Sequence, residues 1–122
     1  MINFTEQVEI EPDFLRVTTV GKYEYSELFG FIQRIKKKAE AAGKDRVLID
    51  SSQIKGSIAE AERFQAGQRI AQIFGGRTRL AWVMPASEIT KLGELAAVNR
   101  GAKFLVAESV EAAIEWLMSE DI

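Results

Sequence analysis

Three polar side chains that could do chemistry follow one another at Asp50, Ser51 and Ser52. They come directly after residues 47–49 (Val-Leu-Ile), an apolar run that predicts a strand buried on both faces. Ligands in open α/β sheets bind at the carboxyl ends of the strands, so these groups could contact a ligand or a partner. The simpler interpretation is a turn in which Asp50 or a serine bonds the nearby backbone. No second carboxylate has a spacing that suggests a metal pair with Asp50.

Ser57 is a second candidate because it begins the run Ser57-Ile58-Ala59-Glu60. Serine followed three residues later by glutamate is a capping box, which predicts that Ser57 is the N-cap of a helix reaching Phe74. Loss of such a cap typically costs about 1 kcal/mol. A phosphate on Ser57 would also meet free N–H groups and the positive end of the helix dipole. The structural and the regulatory role are compatible.

Arginine is concentrated between residues 63 and 79, where four arginines and no acidic residue give a local excess of +4. On the helix that follows Ser57, Arg69 lies in a polar line with Gln65, Gln68 and Gln72. The simpler interpretation of the positive excess is a solvated helix face, and a docking surface for an acidic partner is the alternative. If this region binds a partner, the Gln/Arg line is the preferred interaction face because it adjoins the Ser57 end. The glycine pair at 75–76 ends this helix, which is the wrong polarity for a phosphate-binding loop.

The composition narrows the chemistry further. The chain has 122 residues with no cysteine and no histidine, and its 16 basic and 18 acidic residues give a net charge of −2. These absences exclude a disulfide framework, a thiolate nucleophile, a histidine base and the usual zinc or haem ligands. We predict no catalytic residue, no cofactor and no metal site. The near-neutral charge argues against a nucleic-acid partner. No apolar run approaches the roughly 20 residues that span a membrane, so a cytoplasmic protein is the default expectation.

The hydrophobic pattern predicts a single α/β domain over residues 1–122, with the element order β-β-α-β-α-β-α-β-α. Alternation in the first segment places Ile2, Phe4, Val8 and Ile10 on one face of a strand, interrupted by Glu6. Alternating strands and helices after the opening hairpin predict a mixed, mostly parallel sheet with covering helices. The remaining predicted elements are strands at 14–20, 47–49, 80–84 and 104–106, a loop at 50–56, and helices at 26–42, 57–74, 87–100 and 109–117.

This order, together with four of its segments, resembles the STAS-like family. These are small bacterial proteins related to the sporulation anti-sigma-factor antagonists and to the cytoplasmic domains of sulfate transporters. The segments are residues 47–50 with the polar residues that follow, residues 80–83 (Leu-Ala-Trp-Val), residues 99–101 (Asn-Arg-Gly) and residues 111–117. The last two look like an uncharacterised, antagonist-like branch, and the resemblance covers nearly the whole chain.

The resemblance implies regulation through protein–protein contact. In the best-known members a partner kinase phosphorylates a serine at the start of the helix after the third strand, within a motif that is roughly Asp-Ser-Ser-Gly. Here Asp50-Ser51-Ser52 comes directly at the strand end and Gln53 follows it. Ser57 is the closest match to that serine by position.

We therefore expect a non-catalytic regulatory or protein-interaction module that presents Asp50, Ser51, Ser52, Ser57 and Arg69 to a protein partner, with serine phosphorylation as its switch. Small-molecule or lipid binding between the helices and the sheet is the alternative, since the seven phenylalanines could line a cavity. An enzyme using Asp50 is the least favoured option because no general base accompanies it. A homodimer through the first strand also stays open, because exposed strand edges invite pairing.

Overall fold

Residues 4–119 are described by a computed structural model, which shows five strands and four helices in the predicted order. The strands are β1 (Phe4–Ile10), β2 (Leu15–Lys22), β3 (Arg46–Lys55), β4 (Arg79–Val83) and β5 (Lys103–Ala107). The helices are α1 (Tyr25–Ala41), α2 (Glu60–Phe74), α3 (Leu92–Val98) and α4 (Val110–Met118), with a short 3-10 turn at Ala86–Glu88. One sheet has the order β1-β2-β3-β4-β5, in which β1 and β2 are antiparallel and the later pairs are parallel. The predicted α/β fold class is confirmed.

The β1–β2 hairpin carries the one charge that interrupts the apolar alternation of the first strand. Glu6 lies on the side of the sheet that faces α1, and it accepts a hydrogen bond from Arg34 Nε of that helix at 3.1 Å. Ile10, at the end of this edge strand, is 68% exposed although it belongs to the predicted apolar face. Ile2 and the side chain of Phe4 lie outside the described residues.

Apolar side chains form one core on each face of the sheet, because successive residues of a buried strand point to opposite faces. The first core lies between the sheet and helices α1, α2 and α3, and its members include Val17, Phe31, Ile35, Ile49, Ile70 and Phe104. The second core lies between α4 and strands β3, β4 and β5, and its members include Leu48, Ala81, Val83, Ala113 and Leu117. Three helices therefore share one face, while α4 packs on the other.

Helices α2 and α3 are held very close by two glycines. A methyl group added at Gly67 would lie 2.2 Å from the carbonyl oxygen of Gly93 and 2.9 Å from Ala96 Cβ. A methyl group added at Gly93 would lie 2.9 Å from the carbonyl oxygen of Arg63. Since these distances are shorter than van der Waals contact, only glycine permits this approach of the two backbones. The glycine pair thus fixes the position of α3 against α2.

β3 is longer than the sequence predicts. Residues 50–55, expected in a loop, continue the strand to Lys55 because β2 extends far enough to pair with them. The register shifts between Thr18 and Val20, so that two residues of β3 lie opposite Thr19. Such a bulge redirects the neighbouring side chains, and it places the predicted polar residues inside the sheet.

The ends of the helices follow the prediction better than the starts. The helices predicted to end at residues 42 and 100 end at Ala41 and Val98, and the glycines that follow, Gly43 and Gly101, have positive φ of +68° and +93°. The predicted helix start at residue 87 is wrong because Ser87 lies in the 3-10 turn, and α3 begins only at Leu92, after Lys91 with φ +67°. Among the helices of residues 4–119, none combines the length and the apolar character needed to cross a membrane.

Candidate functional site

Asp50, Ser51 and Ser52 lie at the bulge of β3 and face different surroundings. The Asp50 carboxylate accepts hydrogen bonds from the Ser52 backbone N–H at 3.1 Å and from the Ser52 hydroxyl at 2.7 Å. Ser52 is exposed, whereas only 3% of Ser51 is exposed. The expected local bonding by Asp50 is therefore present, although within a strand. Across residues 4–119, no three acidic side chains come together in a way that could hold a metal ion.

The Ser51 hydroxyl belongs to a buried polar network on the face of the sheet that α1, α2 and α3 cover. It lies 2.7 Å from Thr19 Oγ1, and Trp82 Nε1 donates a hydrogen bond to it at 2.9 Å. Thr19 and Ser51 are the buried polar residues of the described chain. Because buried hydroxyls are costly unless they are hydrogen-bonded, these contacts account for the burial of both side chains. The network joins β2, β3 and β4 near their carboxyl ends.

Ser57 is exposed and lies beyond the end of β3, in residues 56–59 that lead into α2. Its hydroxyl donates to Glu88 Oε2 at 3.2 Å, and the backbone N–H of Ile58 donates to Glu88 Oε1 at 3.3 Å. Arg63 of α2 donates to the same Glu88 oxygen at 3.0 Å and to the carbonyl oxygen of Ile58 at 2.9 Å. We call Ser57, Ile58, Arg63 and Glu88 the Glu88 cluster. It ties the segment before α2 to the 3-10 turn that follows β4.

The capping box predicted at Ser57 is wrong. α2 begins at Glu60 with Ala59 in the N-cap position, and Glu62 accepts a hydrogen bond from the Ala59 backbone N–H at 3.1 Å. The Ser57 hydroxyl is directed at Glu88 instead. Its hydrogen bond therefore links two loops and does not hold the first turn of the helix.

The arginines between residues 63 and 79 do not all face solvent. The Arg63 side chain is only 13% exposed and pairs with Glu88, whose side chain is 18% exposed. Arg79 donates to the carbonyl oxygen of Leu117 at 2.9 Å. Two of the four arginines are thus occupied by groups of the same chain, so the local positive excess is smaller at the surface than in the sequence.

Arg69 lies in a groove between α1 and α2, where its guanidinium carbon is 4.7 Å from the centre of the Phe29 ring. The groove has a volume of about 510 Å³ and is lined by Tyr25, Phe29, Gln65, Gln68, Arg69 and Gln72. Within it, the Tyr25 hydroxyl donates to Gln65. At a rise of about 1.5 Å per residue, Arg69 is about 14 Å along α2 from its first residue. Ser57 therefore lies just before the start of α2, whereas Arg69 lies on the side of this helix, so the structure does not bring the two residues together.

Glu88 and Arg63 are central to the site, yet the sequence pattern did not single out either as a site residue. Glu88 fell inside the helix predicted at 87–100, and Arg63 was one of the four arginines between residues 63 and 79. The signal that could have identified Glu88 as a site residue was its position just after β4. Because β3 and β4 are parallel neighbours, the chain after β4 emerges beside the chain after β3. An acid there could meet the first turn of α2.

Solved structures that match nearly the whole chain include two with related descriptions. An anti-sigma factor antagonist from Mycobacterium paratuberculosis matches with a TM-score of 0.65 and 13% sequence identity, over 95% of this chain and 95% of that chain. An uncharacterised protein of the DUF3478 family with a SpoIIAA-like fold, from Shewanella loihica, matches with a TM-score of 0.53 and 21% identity, over 94% of this chain and 93% of that chain. No protein-family model and no curated protein matches the chain. The chain therefore has the STAS-like, or SpoIIAA-like, fold, and the resemblance noted in the sequence is confirmed at the level of fold.

Proposed function

We propose that this chain is a non-catalytic, regulatory protein-interaction module that presents residues 56–59 and the start of α2 to a protein partner. The observation that carries the proposal is the exposed Ser57 hydroxyl, held against Glu88 beside the first turn of α2. Similarity of fold to an anti-sigma factor antagonist supports it. The proposal contains no catalytic step and no cofactor.

Side chains on α2 and after α3 provide a surface for such a partner. Phe64 is 38% exposed, and Arg100 lies with its guanidinium carbon 5.3 Å from the centre of the Phe64 ring. Arg69 is also exposed on the same helix. Aromatic and arginine side chains contribute most of the binding energy in many interfaces. The two arginines favour an acidic surface on the partner.

Phosphorylation of Ser57 is the switch in this proposal. A phosphate adds a charge of about −1.5 to −2, and the hydroxyl oxygen that would carry it lies 3.2 Å from Glu88 Oε2. Repulsion would separate the two groups, and Arg63 could then pair with the phosphate in place of Glu88.

Ser57 is the favoured serine because it lies outside the regular elements, whereas Ser51 and Ser52 lie within β3. The Ser51 hydroxyl is buried between Thr19 and Trp82, and the Ser52 hydroxyl is bonded to Asp50. A kinase would have to open the sheet to reach Ser51. Ser57 lies outside the regular elements, so its modification requires no such opening.

Photo-crosslinking inside the native cells tests the partner. A photoreactive amino acid at position 57 is expected to capture a defined protein, whereas the same group at Gln7, exposed on β1, is expected not to capture it. Mass spectrometry of the purified chain is expected to find phosphate on Ser57 and to lose that signal in Ser57→Ala. Capture of the same proteins from both positions, or of none, contradicts the proposed surface.

A further inference from the structure

A cavity of about 70 Å³ lies beneath α2 and α3, near the ends of β4 and β5. Its wall is mainly apolar and includes Leu28, Ile70, Trp82, Met84, Phe104 and Val106. A smaller space of about 20 Å³ adjoins it and shares Tyr23 and Trp82 as walls. An apolar cavity of about 150 Å³ can hold benzene. This cavity has about half that volume, so it encloses only part of a ligand of that size, and the remainder of the ligand extends into the solvent-facing opening.

Tyr23 lines both spaces, and its buried hydroxyl has no hydrogen-bond partner. Over the described residues, Tyr23 Oη and Arg46 Nε are the buried side-chain polar atoms without one. Arg46 does not line the cavity, whereas Tyr23 does. Burial, and after it the carboxylate of Glu62, raises the pKa of Tyr23, so its hydroxyl keeps its proton and can donate. A ligand with an acceptor atom gains the most binding free energy where it pairs with a buried donor that otherwise has no partner.

The charged groups around the cavity are already paired. Arg63 Nη2 lies 3.0 Å from Glu88 Oε1, and Lys91 Nζ lies 3.0 Å from Glu94 Oε1. Glu94 also accepts a hydrogen bond from the backbone N–H of Val106 at 2.6 Å. A charged ligand would have to displace one of these partners or be buried without one, which is costly. An uncharged ligand avoids both costs.

We propose that this cavity binds a small uncharged molecule with an apolar body and one carbonyl oxygen, which accepts a hydrogen bond from Tyr23 Oη. Short-chain ketones, aldehydes and esters have this chemistry. The apolar body gains contacts with Trp82, Ile70 and Phe104 that the empty space does not supply. The proposal does not depend on the protein partner proposed above, because its test uses the isolated chain.

Cyclopentanone is a suitable probe because it is compact, uncharged and carries a single carbonyl oxygen. The two tryptophans provide an internal control in a heteronuclear NMR titration, since Trp82 lines the cavity and Trp116 packs against the second core on the other face of the sheet. We expect a saturable shift of the Trp82 indole N–H signal, with a Kd in the millimolar range typical of so small a ligand, and no saturable shift of Trp116. Cyclopentylammonium is expected to give neither. Absence of a saturable Trp82 shift with cyclopentanone, or equal shifts of both tryptophans, overturns the proposal.

Two variants locate the contact. Tyr23→Phe removes the hydroxyl and keeps the ring, so we expect cyclopentanone to bind about five- to tenfold more weakly, with cyclopentane unaffected. Ala66→Leu places a larger side chain in the cavity and is expected to abolish binding, whereas Ala61→Leu, at an exposed position of the same helix, is expected to leave it unchanged. Unchanged affinity in Tyr23→Phe overturns the assigned hydrogen bond. Unchanged affinity in a folded Ala66→Leu overturns the assigned cavity.

Discussion

The face of the sheet under α1, α2 and α3 buries different chemistry from the face under α4. On the first face Thr19 and Ser51 are buried with their hydroxyls bonded to each other, and a cavity lies beside Tyr23. On the second face the core of the described residues is made of apolar side chains such as Leu48 and Leu117. Both faces lie on the same strands, so the strands alone do not explain the difference.

The number of helices on each face explains it. A single helix can match one apolar stripe to the sheet, as α4 does through Ala113 and Leu117. Three helices must also pack against one another, and the contact of Gly67 with Gly93 brings α2 and α3 together while space is left beside them. The cavity therefore occurs where α2 and α3 meet above the sheet, and the proposed ligand site lies there.

Gly67→Ala is expected to cause the largest loss of stability, about 3 kcal/mol, because α2 and α3 must separate to admit the methyl group. Gly30→Ala is a matched control within α1, where the nearest atom to an added methyl group is Arg34 Nη1 at 3.4 Å. Alanine is favoured over glycine in a helix by roughly 0.5–1 kcal/mol, so this control is expected to gain stability. Urea unfolding followed by circular dichroism measures both. Similar effects of the two changes would show that the close contact does not hold the helices.

Ser51→Ala is expected to cost about 2 kcal/mol, because it leaves Thr19 Oγ1 and Trp82 Nε1 buried without their shared partner. Ser52→Ala, at the adjacent exposed position, is expected to change the free energy of unfolding by less than about 0.5 kcal/mol. The double variant Thr19→Val with Ser51→Ala is expected to cost less than the sum of the single changes. A loss at Ser52 as large as that at Ser51 would contradict the stabilising role of the buried network on the first face.

The first face is also expected to be sensitive to alkaline pH through Tyr23. Its pKa is raised in the folded state by burial and by Glu62, so the folded chain retains a proton that the unfolded chain loses. This contribution to stability is complete below the ordinary tyrosine pKa of about 10 and is lost as the pH rises above it. Between about pH 9 and pH 11 we expect the natural chain to lose up to about 1 kcal/mol more than Tyr23→Phe. Parallel curves from urea unfolding across this range would contradict a raised pKa.

The smallest changes in stability are expected at two serines near helix starts, one at α4 and one before α2, on the two faces of the sheet. Ser109 Oγ accepts a hydrogen bond from the backbone N–H of Ala112 at 3.1 Å at the start of α4, so Ser109→Ala is expected to cost about 1 kcal/mol. Ser57 caps no helix, so Ser57→Ala is expected to cost less than about 0.5 kcal/mol. Thermal unfolding of both variants checks this order. An equal loss at Ser57 would indicate that it caps α2 in solution.

Features that depend on neighbouring residues in the chain were predictable from the sequence. The apolar run before Pro85 predicted β4, and the amphipathic stretch from Ser109 predicted α4. The positions of Asp50 and Ser57 were misjudged for the same reason, because their local patterns are typical of a loop and of a helix cap. In the folded chain β2 pairs with residues 50–55, and Glu88 takes the Ser57 hydroxyl. Neither partner is close in sequence.

The order of strands and helices, and hence the α/β fold class, was determined by the sequence itself, because periodicity and helix stops act over a few residues. The candidate sites were decided only by the tertiary structure. The Ser57–Glu88 bond joins residues 31 positions apart, and it exists because parallel β3 and β4 deliver the chain to the same edge of the sheet. The cavity beside Tyr23 likewise depends on how α2 and α3 pack against the sheet and against each other.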